Sequence, residues 1–95
     1  MSVRAYRVEK IKRANYSTFN LWHEEDEALR DLIESEDGFF NYLNMDGCGM
    51  ADVKVTTLEK ALATLKLSDY VIDMIKGDIK WAKKHGEEYI TYECF

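Results

Sequence analysis

The residue types that do chemistry are few and scattered along this chain. His23 and Glu27 lie four positions apart, so on a helix they share a face and could meet one metal ion. A site needs further ligands, however, and none is indicated nearby. The run HEEDE at 23–27 has Glu27 where a zinc-protease helix carries its second histidine. The stretch NMDGCGMAD, residues 44–52, lacks the regular acidic spacing of a calcium-binding loop. No metal or cofactor is therefore expected.

Cys48 stands between Gly47 and Gly49 at an expected turn, where a thiol is accessible but where Asp46 and Asp52 disfavour the thiolate. The paired glycines could shape an anion-binding backbone nest, but two glycines in a turn more commonly supply positive φ. His85, just before Gly86, reads as a helix-end residue interacting with the dipole rather than as a base. Tyr89, Tyr92 and Phe95 are expected to complete a sheet. A thiol or metal sensor would need Cys48 and Cys94 close together, with Cα atoms within about 7 Å for a direct bridge. No nucleophile has an evident base, so a non-enzymatic protein is the leading expectation.

Two features exceed what folding requires. Between Glu24 and Asp37 the chain has eight acids against one base, Arg30. On a helix Glu24, Glu27, Asp31 and Glu34 form one stripe opposite Leu29 and Ile33. The helix dipole accounts for the acids of the first turn, but Glu34, Glu36 and Asp37 fall at the negative end. A basic partner surface would relieve them; a solvated face neutralised by Arg4, Arg7, Lys10, Lys12 and Arg13 is the competing account.

The second feature is a helix with two apolar stripes. Val71, Ile72, Ile75, Ile79 and Ala82 make one, while Tyr70, Met74, Gly77 and Trp81 make another about a third of a turn away. Gly77 costs about 1 kcal/mol in a helix interior relative to Ala, which suggests a close backbone approach. Trp, Tyr and Met are enriched at interfaces, so the second stripe is read as a self-association surface. The competing account makes both stripes core.

The elements that must position these residues follow from periodicity. Residues 3–13 alternate as a strand, with Ile11 out of phase. A helix is expected from about Leu21 to Ser35, stopped by Gly38. FFNYLNM, residues 39–45, and ADVKV, residues 51–55, flank turn residues and read as a hairpin. Thr56 with Glu59 forms a capping-box pattern for a helix starting near Thr57. Ser68 caps the next helix, about Asp69–His85, after a break near Leu67 and Ser68, and Gly86 stops it. EEYITYECF closes as a strand.

The resulting order is βαββαβ, that of the ferredoxin-like split βαβ arrangement: a two-layer α+β fold with a broken second helix. The alternative is a helix-rich domain with FFNYL helical and only the terminal strands paired. At 95 residues the chain suits one domain, 1–95. A net charge of −5 argues against nucleic acid as the main partner. No run of about 18 apolar residues is present to span a membrane, and no signal-peptide pattern opens the chain. With two cysteines and no disulfide framework, a cytoplasmic location is expected.

Together these features suggest a small protein–protein interaction domain, self-associating as a homodimer, with Glu24, Glu27, Asp31 and Glu34 facing a basic partner. The second expectation is a small-ligand binder or enzyme with an aromatic-lined cavity on the sheet, using His23, His85, Tyr92 or Cys48.

Overall fold

The computed structural model describes residues 17–94. The expected first strand, residues 3–13, its basic residues and Phe95 lie outside them. Within the described residues the protein is an α+β fold in which three α-helices pack on a two-stranded antiparallel sheet.

A 3₁₀ turn at Glu24–Asp26 leads into α1, Glu27–Asp37. His23 Nδ1 accepts the Glu25 N–H at 3.3 Å, filling one of the donors that a helix start leaves open. The helix buries Leu29 and Ile33 completely. Gly38 stops it as expected, in the left-handed region at φ 61, donating its N–H to the Glu34 carbonyl at 2.9 Å.

The first arm of the expected hairpin is not a strand. Phe39–Tyr42 form a 3₁₀ turn. The left-handed Gly38 redirects the chain, and the Glu34 carboxylate accepts the Phe40 N–H at 2.8 Å, so that amide is taken locally and not by a strand partner. Phe39 then points into the core with no exposed surface. Of this segment only Leu43 reaches the sheet, through a single bridge to Gly49.

Strand β1, Gly49–Lys54, pairs instead with β2, Tyr89–Cys94, in a register that sets Ala51 against Tyr92 and Val53 against Ile90. Those side chains face the helices, whereas Asp52 and Thr91 face outward and hydrogen-bond at 2.5 Å. The ferredoxin-like order is thus not what the described residues carry: the strand expected from 39–45 is absent, and two strands separated by two helices pair directly. The helix-rich alternative fits in one respect, the helical turn of FFNY, and differs in that β1 is the partner of the last strand.

Helix α2, Val55–Thr64, starts without a loop after β1. The Thr56–Glu59 capping box does not form, because the helix opens earlier, at Val55, whose N–H is given to the Glu88 carbonyl at 2.9 Å. A strand end therefore does the work expected of a side-chain cap. The break near Leu67 and Ser68 occurs as expected, and Ser68 caps α3, Asp69–Lys84, by accepting the Val71 N–H at 3.3 Å. Phe39, Leu29, Ile33, Leu58, Ile75 and Val53 form the innermost core, drawn from all three helices, the 3₁₀ turn and β1. No helix among the described residues is long and apolar enough to cross a membrane.

Candidate functional site

Helix α3 divides its two stripes between different environments. Val71, Ile75, Ile79 and Ala82 are buried, so the first stripe is core. The second is at the surface: Tyr70 is 52% and Trp81 53% exposed, with Met74 half-buried between them. Gly77 is exposed, and a methyl group added to it would meet nothing within 4 Å. Nothing described in this chain approaches that backbone closely, and the glycine leaves a bare notch between two aromatic rings. The Tyr70 hydroxyl is tied to the chain by donation to the Ser17 carbonyl at 2.8 Å. Trp81 stacks on His85 at 4.3 Å between centroids. His85 Nδ1 also lies 2.8 Å from the Trp81 carbonyl, so this histidine finishes the helix, as expected.

Between core and stripe sits Asp78, which sequence reasoning passed over. Its Oδ2 accepts from the Tyr92 hydroxyl at 2.7 Å and from Thr18 Oγ1 at 2.5 Å, joining α3 to β2 and to the segment preceding α1. Phe19 packs edge-on against the Tyr92 ring at 5.4 Å. Burial, then the Asp78 charge and its hydrogen bond, push the Tyr92 hydroxyl far above its ordinary pKa, with the Thr18 hydrogen bond opposing. Tyr92 is thereby a locked hydrogen-bond donor and a poor proton shuttle. The signal for Asp78 in the sequence is slight: an acid on the boundary of the apolar face of α3.

The acidic run separates into two groups. Asp26 is buried and accepts the Asn20 N–H at 2.7 Å, and Glu34 holds the Phe40 amide. Glu36 pairs with Lys60, which holds its carboxyl below the usual range, and Asp37, with a side chain only 4% exposed, lies 3.6 Å from the Lys54 ammonium. At the negative end of α1, Glu34 and Glu36 are thus hydrogen-bonded within the chain, to the Phe40 amide and to Lys60, while Asp37 has the Lys54 ion pair and no hydrogen bond to either buried oxygen among the described residues. Glu34 consequently leaves the expected partner-facing set. Glu24, Glu27 and Asp31 remain exposed. Arg30 stands 3.9 Å from both Glu27 and Asp31 while donating to the Leu21 carbonyl and lying over the Trp22 ring.

The two histidines and Tyr92 do not converge. His23 caps the helix start, His85 and Tyr92 are held as described, and among the described residues no three His, Cys, Asp or Glu side chains are placed to hold a metal ion. A groove of about 580 Å³ opens between α2 and α3, lined by Glu59, Leu62 and Ala63 of α2 and by Lys76, Ile79, Lys80 and Lys83 of α3. It is not the expected cavity, since it lies between helices and has no aromatic lining.

No family model, curated protein or solved structure matches this chain.

Proposed function

We propose that this domain is a non-enzymatic protein–protein interaction module that self-associates through Tyr70, Met74, Gly77 and Trp81, with Glu24, Glu27 and Asp31 facing a basic surface of a partner. The observation that carries the reading is the open notch at Gly77 between two half-exposed aromatic rings. A helix that spends about 1 kcal/mol on an interior glycine with no neighbour among the described residues has room there for the backbone of a second copy. A two-fold axis across the notch would set each Trp81 against the other copy's stripe.

Sedimentation at high micromolar concentration tests this. The wild type is expected to dimerise, and Trp81→Glu to weaken the dimer by roughly 30-fold or more, the scale of an aromatic anchor worth about 2 kcal/mol. A strict monomer, unchanged by Trp81→Glu, overturns the reading.

The acidic face is tested separately. Proteins recovered on the immobilised domain should be lost when Glu24, Glu27 and Asp31 are all replaced by Gln, and should fall away as salt is raised. Recovery indifferent to both changes removes the face from the proposal. Glu34→Gln serves as contrast, because its carboxylate is already engaged with the Phe40 amide.

The small-ligand reading rests on the groove between α2 and α3. Its lining lacks every group expected to act chemically, so the interaction reading is preferred.

A further inference from the structure

The loop joining the 3₁₀ turn to β1 is built with unusual definition for so short a segment. Asn44 organises it: its Oδ1 accepts the N–H groups of Asp46 at 2.9 Å and Cys48 at 3.0 Å, its own N–H donates to the Cys48 carbonyl, and its carbonyl accepts the Gly47 N–H. Cys48 is flanked by Gly47 at φ 80 and Gly49 at φ 146, conformations that side chains resist. A methyl group on Gly49 would also stand 2.8 Å from the Tyr42 carbonyl, and one on Gly47 2.7 Å from the Trp22 ring. The backbone on either side of Cys48 is thus held by close packing as well as by hydrogen bonds.

Beside this loop, at the end of β2, lies Cys94. Gly49 is the register partner of Cys94, and Cys48 is the next residue along the chain. Strand spacing then puts the Cys48 and Cys94 Cα atoms on the order of 6 Å apart, inside the range of roughly 4.4–6.8 Å that a disulfide spans. In a regular strand neighbours one position apart face opposite sides, but the pleat does not run through Gly49, whose φ of 146 turns the chain where Cys48 joins β1. Both thiols are free and half-buried. The Cys94 thiol is pushed up by burial first and next by the charge Cys48 would carry, so the two side chains lie within electrostatic reach.

We propose that Cys48 and Cys94 form a dithiol site for thiol–disulfide exchange with small disulfides, closing a reversible cross-link between the Asn44 loop and the end of β2. Cys48 is the entering nucleophile, because it stands in the loop between two glycines, whereas Cys94 is paired within β2 and burial disfavours its thiolate. The Cys48 thiolate attacks one sulfur of a small disulfide, forms a mixed disulfide and expels one small thiolate. Cys94 then gives up its proton, attacks the Cys48 sulfur and expels the second small thiol. Two protein thiols are oxidised and one small disulfide is reduced to two thiols, so no other oxidant is needed. The cross-link would close a loop of about 46 residues, which constrains the unfolded chain strongly. This proposal is independent of self-association.

The test is incubation of the full chain with oxidised glutathione, read by intact mass and by peptide mapping without reduction. The expected product has lost the mass of two hydrogens, contains a Cys48–Cys94 bridge, and melts at least about 5 °C higher than the reduced protein. Cys94→Ser should accumulate the glutathione adduct on Cys48, and Cys48→Ser should react more slowly by about tenfold or more. The map of the wild type decides even if a variant fails to fold. Glutathione retained on both cysteines, a bridge between two copies, or absence of reaction in the folded protein overturns the proposal.

Discussion

Phe39→Ala is expected to lower the unfolding free energy by about 3–5 kcal/mol, the range for removing a fully buried aromatic ring. Among the described residues Phe39 is the largest side chain with no exposed surface. Its ring meets Phe19 at 6.2 Å and Phe40 at 6.2 Å, so truncation leaves a void and strips two aromatic neighbours of a contact at once. A small domain has only about 5–15 kcal/mol in total, so the variant should show a much lower urea midpoint, or be unfolded in part without denaturant. Tyr42→Ala is the control: Tyr42 is 64% exposed at the other end of the same turn and should change stability by less than about 0.5 kcal/mol. A loss below about 1 kcal/mol for Phe39→Ala would mean that this ring is not in the core and that the 3₁₀ turn is not the conformation of 39–42.

The contrast between those two residues also shows where sequence reasoning ran out. Boundaries set by local chemistry were legible: Gly38 and Gly86 end helices with positive φ, and Ser68 caps α3 through an amide three residues on. The aromatic run FFNY was misread because aromatic content favours strands, while the deciding contact came from a side chain six positions earlier, Glu34. The capping box failed for a more distant reason, since the Val55 amide finds Glu88 across the sheet.

Surfaces followed the same division. Periodicity alone identified the stripe Tyr70–Met74–Gly77–Trp81 as separate from the core stripe, and its rings are half-exposed. The acidic stripe was only partly readable, because a helical wheel shows which acids share a face and not which lysines lie opposite. Lys54 and Lys60, on β1 and α2, take up Asp37 and Glu36, so the charge excess is confined to the start of α1. Nor could the nearness of Cys48 to Cys94 be inferred while β1 was assigned to the wrong partner.

The Thr18–Asp78–Tyr92 cluster joins residues 60 and 14 positions apart, and its signature is alkaline. Tyr92 has an ordinary pKa near 10 in the unfolded chain and a strongly raised one in the fold, through burial and the neighbouring Asp78 charge. Above about pH 10 the unfolded chain therefore releases a proton that the folded protein retains. Since the folded state binds more protons, stability must fall as pH rises, by up to about 1.4 kcal/mol per pH unit for this one group. The contribution is fully present below pH 10 and is lost progressively above it. At neutral pH Tyr92→Phe should cost about 1.5–3 kcal/mol, the value of a hydrogen bond to a charged group, with Thr18 left to hold Asp78. All other titratable groups are common to both proteins, so the difference between wild type and Tyr92→Phe isolates the effect. Urea unfolding at several pH values from 7 to about 11.5 should show that difference shrinking above about pH 10, since the variant has no phenol to ionise on unfolding. A difference that stays constant across this range would show that Tyr92 ionises as readily in the fold as out of it, and that Asp78 does not hold its proton in place.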